Sequence, residues 1–229
     1  MKEFEIPFSE LSLNSELVLK ETGYGETKPD PAVREIVDDL LSTAEKKVTA
    51  RCCFAIREGI LGEDKIIVDG VELYTGRTIT DLLKNSVRFA LFAATAGYGF
   101  EKMMHDIKAE SDMLKIYIAD IIGSLIAESA GDAMERLLEA EIRGTDHTAR
   151  FSPGYCGWHL SGQKSLFALM GGSPSDIRLS DVCLMTPMKS VSGIIGIGEG
   201  VGKKFYACHI CELTACYKRK EILNRKNKN

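Results

Sequence analysis

The longest uninterrupted helical pattern of the chain runs from Glu110 to Arg143. It contains no proline and only two glycines. At a rise of about 1.5 Å per residue, this run predicts a helix of roughly 50 Å, and residues 98–142 as a whole are expected to be mostly helical. Because a helix of this length must bury an apolar face against a second layer, it constrains the fold more than any other segment.

One face of this predicted helix carries an apolar stripe that ends in a carboxylate. Steps of four and three residues connect Leu114, Ile118, Ile122, Leu125, Ser129 and Asp132. Two interpretations of the end of the stripe are open. Either the helix emerges into solvent at Asp132, or this acid faces inwards towards a cationic ligand, since a buried charge needs a partner.

The other segments predict shorter helices and strands joined by turns. Helices are expected over residues 30–48, from Thr80 as the capping residue to Lys84, and over 163–170. Strands are expected over 48–57, 66–68, 71–74, 179–185, 190–197 and 205–210, with a turn over 198–204. The run 86–95 is compatible with a strand or a helix, and we favour a buried strand. Helices grouped apart from strands that turns connect indicate an α+β fold, with a mainly antiparallel sheet and long helices packed on it.

The length of the chain limits the number of domains. A chain of 229 residues fits one large domain or two small ones. We expect an N-terminal α/β subregion over residues 1–95 that packs on a second region over residues 96–229, the two forming one compact unit.

The composition excludes several classes of protein. With 27% charged residues and a net charge of −4, the chain is neither disordered nor suited to following a phosphate backbone. No run approaches the roughly 18 apolar residues of a membrane span, and the N-terminal sequence MKEFEIPFSELSL has no signal-peptide core. We therefore expect a cytoplasmic protein that binds neither nucleic acid nor membranes.

The segment from Arg150 to Trp158 contains the residue types of a small-molecule site. It combines a fixed cation, a Pro-Gly turn, Tyr155 and the only tryptophan of the chain. The guanidinium fork of Arg150 suits a carboxylate, while the two aromatic rings offer flat faces for stacking or for a cation. Such a segment would suit a zwitterionic ligand with an aromatic base and a positive charge, although ordinary turns carry similar clusters.

Several motifs of the last third of the chain follow one another in a specific order. They are R-x-x-P-G-Y at 150–155, Q-K-x-x-F-x-L at 163–169, I-x-L-x3-C-x-M-x-P at 177–187, K-S-V-S-G at 189–193 and K-F-Y at 204–206. In these elements the chain resembles the activation (reactivation) domain of cobalamin-dependent methionine synthase, in a free-standing form. The resemblance implies the α+β fold of that domain and the binding of S-adenosylmethionine.

Individual site residues follow from this resemblance alone. It implies that Arg150, Ser152, Gly154 and Tyr155 contact S-adenosylmethionine, and that Tyr155 also acts at the reacting centre by packing at the corrin face. It further implies that Asp132 and Tyr206 contact the ligand. Glu135 lies near the position of a second acid of the family, and Phe205 replaces the first tyrosine of a Tyr-Tyr pair.

The resemblance also implies a reaction and its partners. As the activation subunit of methionine synthase, in methionine biosynthesis, the protein would position the methyl group of S-adenosylmethionine for transfer to cob(I)alamin formed from inactive cob(II)alamin. The corrinoid-binding pattern D-x-H-x-x-G is absent, so the cobalamin is expected on a partner, with a flavodoxin-like or iron–sulfur protein as the electron donor. Two alternatives are another corrinoid methyltransferase as the partner and a non-catalytic adaptor that senses S-adenosylmethionine.

Seven cysteines, an odd number, argue against a disulfide framework. Cys52, Cys53 and Cys183 lie in apolar runs and are expected in the core, while Cys156 should lie near the ligand site. The last three form the pattern Cys208-x2-Cys211-x4-Cys216, which is suggestive of zinc or an iron–sulfur cluster but lacks a fourth ligand. Buried or surface thiols are the alternative interpretation.

Overall fold

The computed structural model describes residues 1–24 and 27–203. Its helices are α1 (Ser15–Leu19), α2 (Pro31–Lys47), α3 (Arg77–Leu82), α4 (Gly97–Ala109), α5 (Met113–Ile142) and α6 (Gly162–Leu169). Its strands are β1 (Lys2–Ile6), β2 (Ala50–Leu61), β3 (Ile66–Val68), β4 (Val71–Leu73), β5 (Arg88–Thr95), β6 (Arg178–Leu179), β7 (Met185–Thr186) and β8 (Ser190–Ile197).

Six of these strands form one antiparallel sheet, in which five follow the order β4-β3-β2-β5-β8 and β1 pairs with β2. The 12-residue strand β2 pairs with β5 on one side, and its two ends pair with β1 and β3 on the other. Strands β6 and β7 form a separate two-stranded sheet. The predicted α+β fold with a mainly antiparallel sheet is confirmed.

Both faces of the main sheet are buried, and strand β5 shows why. Ala90, Phe92 and Ala94 belong to a core shared with the long helices, whereas Phe89, Leu91 and Ala93 belong to a second core on the opposite face. Side chains alternate between the faces of a strand, so a strand covered on both faces is apolar throughout. The run 86–95 is therefore compatible with a strand or a helix from its sequence alone, and the favoured strand is confirmed.

Helix α5 is the long helix that the sequence predicts. Its 30 residues pack across β2, β5 and β8, with Ile118 and Ile122 fully buried. Asp112 accepts hydrogen bonds from the backbone N–H groups of Leu114 and Lys115, which fixes the first turn. At the end of the predicted stripe, the buried Ser129 accepts a hydrogen bond from the backbone N–H of Ser12.

Two predicted elements are wrong in their bounds. Thr80 does not begin a helix, because α3 starts after Gly76, whose positive φ of 79° sets the chain direction. The Thr80 hydroxyl instead donates to the carbonyl oxygen of Gly76, one turn earlier.

Residues 179–185 are not one strand. The chain turns back between β6 and β7, where the backbone N–H of Ser180 donates to the carbonyl oxygen of Leu184 and the Ser180 hydroxyl accepts from the N–H of Leu184. Local hydrogen bonds from serine compete with strand pairing and favour turns. The predicted strand over 205–210 lies outside the described residues.

The segment after α5 runs along the free edge of β8. Phe151 exchanges backbone hydrogen bonds with Ile194, at 2.9 and 2.8 Å, and the N–H of Thr148 donates to the carbonyl oxygen of Gly196. Ala149 and Phe151 are buried in the second core. Because alternate residues of an extended segment point to opposite sides, Arg150 is directed towards α5.

The main sheet contains strands from both sides of residue 95, since β5 pairs with β8. The division at residues 95 and 96 into an N-terminal subregion and a second region stays a prediction. Among the described residues, none of the helices has the length and apolar character needed to cross a membrane.

Substitution of Gly193 by alanine should destabilise the protein. A Cβ atom there would overlap the carbonyl oxygen of Phe151, at the place where the extended segment meets β8. We expect the free energy of unfolding, measured by urea denaturation, to fall by about 1–3 kcal/mol. Gly202→Ala is the matched control, because a Cβ there meets nothing within 4 Å. Equal unfolding free energies for the two variants would contradict this explanation.

Candidate functional site

A cleft of about 500 Å³ lies between helix α5, strand β8 and the segment 149–156. Small-molecule sites span about 300–1,000 Å³, so its size is typical of one. Its apolar lining comes from Ile79, Phe92, Ala149, Phe151 and Val191, and its polar lining from Glu128, Glu135, Arg150, Ser152, Tyr155 and Cys156. The cleft therefore joins an apolar floor to a few charged groups.

Arg150 is the central cation of the cleft, and its side chain is 21% exposed. Its Nη2 atom lies 2.6 Å from Oδ1 of Asp132 and 3.8 Å from Oε2 of Glu128, and its Nε atom lies 3.5 Å from Oε2 of Glu135. These acids follow one another at steps of four and three on α5, so one helix face presents all three to the guanidinium.

The remaining guanidinium nitrogen lies against the helix backbone. Nη1 of Arg150 is buried and finds no hydrogen-bond partner among the described residues. It fits there because residue 131 is glycine, since a Cβ at this position would overlap Nη1. The close fit against Gly131 costs free energy, because this buried nitrogen has no acceptor among the described residues.

The loop after Arg150 places an aromatic ring at the rim of the cleft. Gly154 has a φ of 95°. Its N–H donates to the carbonyl oxygen of Trp158, and the N–H of Trp158 donates to the carbonyl oxygen of Tyr155. The Tyr155 side chain lines the cleft and is 59% exposed.

A second charged cluster adjoins the first through Glu135. Lys203 Nζ lies 3.0 Å from Glu135 Oε1 and 2.7 Å from Glu139 Oε1, and the buried His147 places Nε2 3.0 Å from the same Glu139 oxygen. Hydrogen bonds from Lys203 and then from His147 lower the pKa of Glu139. The hydrogen bond to Glu139 raises the pKa of Lys203.

This second cluster is also the place where the described residues could hold a metal ion. Ligand atoms of Glu135, Glu139 and His147 lie within 4.8 Å of one another. The Lys203 ammonium already bonds both carboxylates, so a metal ion would have to displace it.

Comparison with known proteins adds a family to this geometry. Residues 77–211 match the sequence model of the vitamin B12 dependent methionine synthase activation domain. The matched residues make up more than half of the chain and include all the lining residues of the cleft. The chain belongs to this family. Its role therefore lies in the reactivation of cobalamin-dependent methionine synthase, which implies a cobalamin-binding partner.

A solved structure supports the fold of this activation domain. The chain is similar to the crystal structure of the MetH reactivation domain bound to AdoHcy, with a TM-score of 0.64 and 14% sequence identity. The match covers 99% of this chain and 85% of that one. The comparison with curated proteins returned no match.

The structure brings together most of the residues that the sequence singles out in this activation domain. Arg150, Ser152 and Tyr155 line the cleft, Asp132 contacts Arg150, and Gly154 lies in the rim loop without lining the cleft. Tyr206, Cys208, Cys211 and Cys216 lie outside the described residues, so their roles stay predictions.

Asp132 shows features of both interpretations of the helix stripe, the one in which it emerges into solvent and the one in which it faces a cation. Its side chain is 56% exposed, yet it pairs with a cation of the same chain. The proposed stacking role of Trp158 is wrong, because its ring is 1% exposed and packs in the second core.

Sequence reasoning did not single out Glu128 as a site residue. Its signal was available, since Glu128, Asp132 and Glu135 share one helix face at steps of four and three.

The predicted burial of Cys52, Cys53 and Cys183 is confirmed. Cys52 and Cys53 are buried on opposite faces of the sheet, and burial raises the pKa of the Cys52 thiol to about 12. Cys183 is also buried, in the turn between β6 and β7 rather than in a strand. Cys156 lines the cleft, as expected.

Glu139→Gln should reduce the loss of stability in acid. Because the pKa of Glu139 is lowered on folding, its carboxylate stabilises the protein above its unfolded pKa, and this contribution disappears as the pH falls through the folded value. The fall in unfolding free energy between pH 5 and pH 3 should thus be smaller in the variant. Glu45→Gln changes an exposed acid on α2 and serves as the control. Identical pH profiles for Glu139→Gln and the unmodified protein would contradict the role of the cluster.

Proposed function

We propose that this activation domain binds S-adenosylmethionine in the cleft beside Arg150 and presents its methyl group to cobalamin carried by methionine synthase. The observation that carries the proposal is one fixed cation held among three carboxylates at the wall of an apolar cleft. Such an arrangement suits a ligand that bears both signs of charge.

The charges of the cleft complement those of the proposed ligand. S-adenosylmethionine carries a sulfonium, an ammonium and a carboxylate, so its net charge is +1. Glu128 and Glu135 outnumber Arg150 in the lining by one negative charge. The acids would attract the two cationic groups, and Arg150 would take the carboxylate.

The chemistry of the donors fits the ligand as well. A ligand carboxylate would accept hydrogen bonds from the part of the Arg150 guanidinium that lines the cleft. The apolar lining suits the adenosyl group, and Ser152 adds a hydroxyl beside Arg150. Proposed contacts from Tyr206 lie beyond the described residues.

The reaction requires positioning rather than acid–base catalysis. The sulfur–methyl bond breaks and the methyl group goes to the corrinoid, which the partner carries and which supplies the nucleophile in its cob(I) state. S-adenosylhomocysteine is released, and a flavodoxin-like or iron–sulfur donor supplies the electron for the preceding reduction. The chain's own task is to hold the methyl group in line with its acceptor.

Tyr155 is our candidate for the residue closest to the transfer. It is exposed at the rim of the cleft, where a docked partner would approach. A ring there could exclude water from the reacting groups and support the corrin face. We assign it to the reacting centre on this ground.

Arg150→Lys should weaken S-adenosylmethionine binding by about tenfold or more, because an ammonium replaces the two-pronged guanidinium. The measurement is isothermal titration calorimetry under anaerobic conditions. Arg34→Lys is the matched control, since the Arg34 side chain is 42% exposed and pairs with Glu16 outside the cleft. The proposal fails if the unmodified protein does not bind S-adenosylmethionine, or if both variants bind it equally well.

Tyr155→Ala should lower the rate of methyl transfer more than the affinity for S-adenosylmethionine. A misplaced reacting group can cost about a hundredfold in rate. The measurement is single-turnover methylation of cobalamin on methionine synthase, with a reductant and S-adenosylmethionine present. Absence of transfer by the unmodified protein despite ligand binding would favour the adaptor, and transfer only with another corrinoid protein would identify a different partner.

A further inference from the structure

We infer that Lys203 is a positioning residue that keeps the charge of Arg150 available to a ligand carboxylate. This inference rests on the proposed function. Glu135 lies between the two cations and contacts both, with Arg150 lining the cleft and Lys203 outside its lining. Lys203 therefore acts on the ligand through Glu135.

The two oxygens of Glu135 contact different cations at different distances. Oε1 lies 3.0 Å from Lys203 Nζ, whereas Oε2 lies 3.5 Å from Arg150 Nε. The Glu135 side chain is only 19% exposed, so water screens its charge less than that of the more exposed acids. The Glu135 carboxylate therefore interacts more strongly with the Lys203 ammonium than with the Arg150 guanidinium.

Lys203 is itself held in place by groups that do not reach the cleft. Its ammonium lies 2.7 Å from Glu139, which also contacts His147, whose Nδ1 lies 2.8 Å from the carbonyl oxygen of Thr148. The hydrogen bond to Glu139 raises the pKa of Lys203, so the ammonium stays charged at neutral pH. The adjoining backbone is fixed as well, since the Gly200 N–H donates to Oδ2 of Asp146 at 3.2 Å.

Removal of this ammonium would change the balance around Arg150. Glu135 would lose its closer cation, so its attraction for the Arg150 guanidinium would be less compensated. The electrostatic potential of the cleft would also become more negative. A ligand carboxylate would then bind less well, whereas the sulfonium and ammonium of the ligand would bind equally well or better. A purely structural loss would weaken every ligand alike, so the ratio of two affinities distinguishes the two effects.

The test compares S-adenosylmethionine with decarboxylated S-adenosylmethionine, which lacks the carboxylate. Both dissociation constants are measured by calorimetry for the unmodified protein, Lys203→Met and Lys203→Arg. We expect Lys203→Met to shift the affinity ratio against S-adenosylmethionine by about two- to tenfold, the lower part of the range of coupling between neighbouring residues, because Lys203 acts through Glu135. Lys203→Arg, which keeps the charge, should retain the original ratio.

Two further variants test the route through Glu135 and the general effect of charge. In the Glu135→Gln background, Lys203→Met should no longer change the ratio, because the carboxylate that transmits the effect is absent. Lys47→Met removes an equally charged side chain that pairs with Asp106 on another face and should leave the ratio unchanged. Circular dichroism and thermal unfolding verify that each variant is folded.

Each outcome decides the inference. It is overturned if Lys203→Met leaves the ratio unchanged, if both ligands weaken equally, or if the effect persists with Glu135→Gln. If the unmodified protein binds S-adenosylmethionine but shows one of these results, the proposed function stands and only the role of Lys203 falls. If the unmodified protein binds neither ligand, both fall together.

Discussion

The ion pairs between Arg150 and the acidic face of α5 are the interaction on which the candidate site depends. A guanidinium that is mostly withdrawn from water needs compensating charge. Helix α5 supplies it from Glu128, Asp132 and Glu135, and Gly131 lets the guanidinium approach the helix backbone. The core on the other face of the sheet fixes the direction of Arg150, because its two neighbours in sequence are buried there. One helix and one extended segment thus define the cleft before any ligand is considered.

Elements with a strong periodic pattern could be predicted from the sequence. Helix α5 follows from its length and spacing, and the predicted strand over 190–197 matches β8. The apolar run of β5 allows a strand or a helix from the sequence alone, because the structure buries both of its faces. The errors arose where local hydrogen bonds outweigh propensity. The Ser180 turn interrupts an apolar run, and a positive φ at Gly76 starts α3 earlier than the threonine signal suggested. Such contacts depend on a backbone direction that one sequence does not reveal.

The residues of the site divide in the same way, into those that the local sequence predicts and those that only the folded chain brings together. Arg150, Ser152 and Tyr155 stand in a short motif, so sequence proximity alone brings them together. Glu128 and Lys203 come from distant parts of the chain, and only the packing of α5 against the edge of β8 makes them neighbours of that motif. Trp158 shows the opposite case, since it belongs to the motif in sequence but to the core in space.

A site for a ligand with both signs of charge faces a physical conflict. Its own acids and bases attract one another, and a complete pairing would leave little free charge for the ligand. Three carboxylates around one guanidinium come close to pairing its charge completely. Lys203, outside the cleft, reduces this pairing because its ammonium binds Oε1 of Glu135, and Glu139 in turn compensates the charge of Lys203. Recognition of the carboxylate would then depend on a charge that never touches the ligand, so variation at position 203 would alter specificity without altering the cleft's lining.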